Sequence, residues 1–222
     1  DSDLVMIIDE VVNTVITDYK KNYPLMPQAL IETEKKQLKV SLTNWIDVEK
    51  KRSHDFEVIS TEEKHQININ RIQFNIKIDR IDLINTNKKI IIDYKTGETE
   101  SINSLYKHRL KSLQLPIYGC FSNHKDIDGV VYAKINRKKY TLNGISRENL
   151  ATYVKFNDKK NPKIRTWEEL LTFWNNEINS IASDYLKGKA EVVFNEDDLK
   201  YCKIKSILRI PDSNEYNREK PK

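Results

Sequence analysis

FNIKIDRIDLI, Phe74 to Ile84, then the polar turn NTNKK, then IIIDYKTG, Ile90 to Gly97, decides how this chain folds. The two apolar runs read as neighbouring strands joined by a short turn. Side chains alternate along a strand, so Ile90, Ile92 and Tyr94 share one face and Ile91, Asp93 and Lys95 share the other. A carboxylate and an ammonium thus project side by side from an otherwise apolar strand. Asp79, after Phe74, Ile76 and Ile78, interrupts the first run in the same way. Burying such charges is costly unless they pair or bind a metal.

Two carboxylates on adjacent strands, Asp79 and Asp93, can hold a hard divalent cation such as Mg²⁺. A lysine two residues on, Lys95, can orient or deprotonate a water or steady the charge of a phosphate. Together these are the groups that metal-assisted phosphodiester hydrolysis requires. A plainer reading stands beside this one: Asp93 and Lys95 neutralise each other at a strand end, and Asp79 pairs with Arg80 or a distant lysine.

KIDRID, IIIDYKTG and, some twenty residues later, QLPIY (Gln114 to Tyr118) resemble in order and spacing the PD-(D/E)XK nuclease superfamily. Within it the chain is similar to the RecB/AddB-type nuclease domain, the C-terminal domain of bacterial probable DNA repair proteins. WEELLTFWNNEINSIASDYLKGKAEV and YCKIKSILRI look like the last helix and tail of that family. The resemblance implies Asp79 and Asp93 as metal-binding carboxylates, Lys95 as the catalytic lysine, and the backbone carbonyl of Tyr94 as a further metal ligand. Gln114 and Tyr118 match a Q-x-x-x-Y motif that helps to position the DNA strand, and the i, i+4 spacing sets both on one helix face. Relatives carry a histidine in the first helix. Here the matching segment is VMIIDEVVN, and Asp9 falls where the histidine would be. Asp9 is either a replacement metal ligand or a solvent-facing acid near a helix start. Relatives also carry a four-cysteine iron–sulfur cluster. This chain has 2 cysteines, Cys120 and Cys202, so no iron–sulfur cluster is expected.

The remaining sequence supports that core. The chain has 222 residues and a net charge of +5, a mildly basic balance that suits a nucleic-acid partner. No run of about twenty apolar residues occurs, so no membrane span is expected. With so few cysteines a disulfide framework is excluded and a cytoplasmic protein is expected. The chain opens on Asp1 without a signal-peptide pattern, and we expect a piece of a longer protein. Amphipathic helices are predicted over 4–20 and 29–51, separated by Pro24 and Pro27. A helix from the serines at 101–104 through 121 would hold Pro116 and a kink. Lys107 and Arg109 lie in its early turns, where they either contact DNA phosphates or form a solvated face. Residues 56–61 and 66–74 read as strand, as do 129–135. Lysines, arginines and aromatics between 134 and 165 suit single-stranded DNA or a solvated loop. Thr166 caps a long helix ending before Gly188.

The expectation is one α/β domain over 1–222 with a restriction-endonuclease-like mixed central sheet flanked by helices. It divides into a helical N-terminal part (1–52), a catalytic sheet core (53–140), a C-terminal helical part (141–210) and a flexible tail (211–222). The resemblance implies a Mg²⁺- or Mn²⁺-dependent deoxyribonuclease of DNA repair or recombination, an exonuclease on DNA ends or single strands. Its partners would be DNA and a helicase domain or subunit. The competing reading is a catalytically inactive DNA-binding or scaffolding module of such a complex.

Overall fold

A computed structural model describes residues 2–85, 87–124, 126–136, 139–148, 161 and 163–189. Helices α1 (Ser2–Asn22) and α2 (Gln28–Lys50) form a hairpin, followed by β1 (Phe56–Ile69), β2 (Ile72–Ile84) and β3 (Lys88–Lys95). A 3₁₀ turn (Ile102–Tyr106), α3 (Gln114–Phe121), β4 (Ile127–Asn136), β5 (Lys139–Ser146) and α4 (Trp167–Leu186) complete the order. The strands make one five-stranded sheet, β1-β2-β3-β4-β5. All pairs are antiparallel except β3–β4, which is parallel. A parallel pair cannot be closed by a tight turn, and the crossover that joins β3 to β4 is the segment that carries α3.

The expected alternation of β3 is found. Ile91 joins the core under α3 and α4, with Ile81, Val130, Leu115, Trp167 and Trp174. Ile90 and Ile92 join the opposite core, against Trp45 of α2 and Val131. A third, smaller core lies within the hairpin, where Ile8, Val12 and Ile16 of α1 meet Ile31 of α2. The chain divides into two compact units, 1–183 and 184–222. The first holds the sheet. Of the second, residues 184–189 are described, and there the amides of Gly188 (φ +65) and Lys189 bond back to the carbonyls of Tyr185 and Asp184, a glycine-closed helix end. At the start of α4, Thr166 and Glu169 exchange side-chain to backbone hydrogen bonds of 3.1 and 3.2 Å, the reciprocal capping box.

Three expectations change. Residues 56–74 are one long strand and a turn into the next, because Asn70 takes the left-handed φ of 54° that a two-residue hairpin needs. The helix expected over 101–121 ends as a 3₁₀ turn at Tyr106, where Lys107 turns extended (φ −99°, ψ 145°), and Arg109 takes a φ of 54° before α3 begins. Pro116 consequently sits in the first turn of α3, where its absent N–H has no intrahelical partner to lose, and causes no kink. Lys139–Ser146, read as part of a basic loop, is the edge strand β5. Residues 149–160 of that basic region and the tail with Cys202 lie outside the described residues.

Candidate active site

Asp93, near the C-terminal end of β3, is fully buried. Its Oδ1 accepts a 2.6 Å hydrogen bond from Gln114 Nε2, and its Oδ2 lies 2.6 Å from Lys95 Nζ. That second approach is an ion pair without hydrogen-bond alignment, and Oδ2 has no aligned donor. Gln114 Oε1 in turn accepts from Lys95 Nζ at 2.7 Å. One amide therefore bridges both charged groups, and only one amide orientation satisfies them, oxygen to ammonium and nitrogen to carboxylate. Gln114 Nε2 also donates to the Tyr118 hydroxyl at 2.8 Å, which donates to the Lys77 carbonyl at 2.8 Å. The i, i+4 face of α3 is thereby bolted to β2 and β3 together. Tyr118 is buried, so in this structure it positions Gln114 rather than projecting outward.

Asp79 enters from β2. The β2–β3 ladder runs from Ile84↔Lys88 to Arg80↔Ile92 and stops there. Beyond it, Asp79 Oδ2 accepts from the Tyr94 amide at 2.8 Å, so a side chain takes over where the backbone partner is lost. In an extended strand the N–H and C=O of one residue point to the same side. The Tyr94 carbonyl therefore faces the β2 side, past the end of the ladder. The phenol of Tyr94 lies on the opposite face and accepts from Arg80 Nη1 at 2.9 Å.

That opposite face holds a buried charge network that secures the strand ends. Arg80 makes a bidentate pair with Asp82 at 2.6 and 3.0 Å, and its Nη1 donates to Glu49 of α2 at 3.1 Å. Arg52 donates to the same Asp82 at 2.6 Å and to Glu49 at 3.0 Å, and stacks 3.7 Å above the Phe56 ring. Two cations meet two anions, so the group is neutral overall. Burial works against the charge on Arg80, but its hydrogen bonds and charge contact with Asp82 hold its pKa above the ordinary value. Arg80 is thus committed to Asp82 and Glu49, and the pairing of Asp79 with Arg80 is corrected.

On the α3 side, burial raises the Asp93 carboxyl above its usual range, Lys95 opposes the rise, and Asp79 adds to it. Burial also raises the Tyr118 phenol. Asp79, Asp93, Tyr94, Lys95, Gln114 and Tyr118 are brought together as the sequence implied. Asp9 is not brought to them: its carboxylate pairs with Lys39 of α2 at 2.6 Å within the helical hairpin. Helix α1 packs its apolar stripe on α2, so the matching segment serves that hairpin. Lys107 and Arg109 are exposed, and their backbone is held to α4 where the Arg109 amide donates to Glu177 at 2.7 Å.

Two clusters escaped the sequence reading. One is the Glu49–Arg52–Arg80–Asp82 network, for which the alternation of Arg80 and Asp82 with Ile84 was the available signal. The other is Glu63, His65 and His124, whose ligating atoms all lie within 4.8 Å of one another. Glu63 and His65 precede Ile67 and Ile69 on the inward face of β1, a period-two pattern that marked them as inward-facing.

A search of curated proteins finds no match. Among solved structures, one described as "Crystal structure of SSO0001" is similar over 90% of this chain and 83% of that one, at 17% identity and a TM-score of 0.33. Neither figure bears on the site. The sequence model of one family, in contrast, matches residues 2–207, a span that takes in both helices of the hairpin and every strand of the sheet. With the mixed sheet and helices in place, this α/β chain belongs to the PD-(D/E)XK nuclease superfamily.

Proposed function

We propose that the domain hydrolyses DNA phosphodiester bonds with Mg²⁺ or Mn²⁺, as a RecB/AddB-type nuclease of DNA repair acting on ends or single strands. The observation that carries the reading is Asp93 Oδ2, a buried carboxylate oxygen without an aligned donor, beside Asp79 on the neighbouring strand. Such an oxygen fits a hard cation. Asp79 and Asp93 would hold it, with the Tyr94 carbonyl as a further oxygen donor. When bound, the ion supplies positive charge to the phosphate and lowers the pKa of water. Asp79 is kept in orientation by the Tyr94 amide. Lys95, 2.7 Å from Gln114 Oε1, presents an ammonium whose remaining protons can hold the attacking water and the phosphate oxygen. Gln114 sets where that ammonium sits, and Tyr118 sets where Gln114 sits. Exposed Lys107 and Arg109 would meet the DNA backbone. The setting we infer is cytoplasmic, with a helicase domain or subunit as partner.

A second reading, an inactive DNA-binding or scaffolding module, is favoured by one observation. Asp9 pairs with Lys39 and supplies no third carboxylate to the site. Degradation of labelled single- and double-stranded DNA, with Mg²⁺, Mn²⁺ or EDTA, separates the two. Metal-dependent cleavage that disappears in Lys95→Ala and Asp79→Ala supports the nuclease. DNA binding without cleavage at any metal concentration replaces it with the module.

A further inference from the structure

Glu63, His65 and His124 form a second assembly of metal-ligating groups, built from β1 and from the loop between α3 and β4. His65 Nε2 lies 3.1 Å from Glu63 Oε1, and His124 Nε2 lies 3.1 and 2.9 Å from the two Glu63 oxygens. The His65 side chain is 3% exposed, and its Nε2 is buried without an aligned hydrogen-bond partner. A buried imidazole nitrogen in that state is costly. It is directed at the one carboxylate that His124 also approaches.

The Glu63–histidine spacing is close to what a metal would impose. Zinc bonds of about 2.0–2.1 Å in a tetrahedron set neighbouring ligand atoms about 3.3–3.4 Å apart. The separations of Glu63 from the two histidines, 2.9 to 3.1 Å, are slightly shorter, and all three ligating atoms lie within 4.8 Å of one another, so a modest adjustment of the side chains would bring them to one ion. Ser60 Oγ donates to Glu63 Oε2, the kind of outer hydrogen bond that orients a ligating carboxylate. Two imidazoles and one carboxylate select a borderline transition metal over Mg²⁺, which prefers oxygen. Three protein ligands leave a fourth position for water.

We propose that Glu63, His65 and His124 bind a zinc-class divalent ion, separate from the Asp79 and Asp93 centre, that ties the loop after α3 to β1. The consequence is mechanical. His124 lies three residues past the end of α3, the helix that carries Gln114 and Tyr118. A bond from His124 to β1 fixes the far end of that helix. The proposal does not depend on nuclease activity.

The test uses the full 222-residue chain stripped with EDTA, titrated with Zn²⁺ by calorimetry and with Co²⁺ by visible absorption. An Asp79→Ala/Asp93→Asn background removes the other centre. We expect one site per chain in that background, with an intense four-coordinate Co²⁺ spectrum and a Zn²⁺-dependent rise in melting temperature. In the same background, His65→Gln and His124→Gln should each weaken binding at least tenfold and abolish the thermal shift. His124 is partly exposed, so its variant keeps the test open if His65→Gln fails to fold. Unchanged affinity in His124→Gln, or no stoichiometric site in the background, overturns the proposal and leaves the cluster an ion pair.

Discussion

Gln114→Met tests the bridge at the candidate site most directly. The replacement keeps a flexible side chain of similar length and removes both the donor and the acceptor. Three hydrogen bonds disappear, to Asp93, Lys95 and Tyr118. They are not equal. The Lys95 side chain is 32% exposed, so its ammonium can take water instead. Tyr118 retains its bond to the Lys77 carbonyl. Asp93, at 0% exposure, has no such recourse and keeps only the unaligned ion pair. Losing a hydrogen bond to a buried charge costs about 1.5–3 kcal/mol. At about 2–4 °C per kcal/mol for a chain of this size, melting falls by about 3–12 °C. Freed from Gln114, the Lys95 ammonium is held by the unaligned pair with Asp93 alone, and a misplaced catalytic group costs roughly 10- to 100-fold in rate. Thermal unfolding by circular dichroism and cleavage of labelled DNA measure the two effects. A variant that melts within about 1 °C of wild type and cleaves at the wild-type rate refutes the bridge. One that melts lower but cleaves normally refutes the positioning of Lys95.

Asp82→Ala leaves Glu49 as the one carboxylate of the network facing two buried guanidiniums, and should cost about 3–5 kcal/mol in urea unfolding; a loss under about 1 kcal/mol refutes the network. Gly144→Ala places a Cβ 2.3 Å from the Val130 carbonyl oxygen and 2.7 Å from Val131 Cα, both backbone atoms. A destabilisation of about 1–3 kcal/mol is expected, and a neutral result contradicts the β4–β5 register. Burial pushes the Cys120 thiol up to about 12, so in a Cys202→Ser chain iodoacetamide at pH 8 should label this partly buried thiol far more slowly before unfolding than after. Because the unfolded thiol ionises at its ordinary 9.0, the folded state should lose stability as pH climbs from there toward about 12. Rapid native-state labelling, or a flat stability profile over that window, argues against the burial.

Local chemistry in the sequence was enough for much of this protein. The alternation around Asp93 and Lys95, the polar turn after Ile84 and the four-residue spacing of Gln114 and Tyr118 are short-range patterns. Each depends on backbone geometry that neighbouring residues dictate, and each is found. Thr166 and Gly188 bounded the last helix for the same reason. Contacts between distant segments were not legible. Asp9 turned to Lys39 because α1 packs on α2. Arg80 met Glu49, 31 residues away, because the back of the sheet is closed by the end of α2. The helix expected through 101–121 is interrupted between Tyr106 and Gln114, the stretch in which Glu177, 68 residues from Arg109, accepts the Arg109 amide. His124 met Glu63 across 61 residues. A side chain's periodicity assigns it a face; which charge occupies the space in front of that face is decided only when the layers pack.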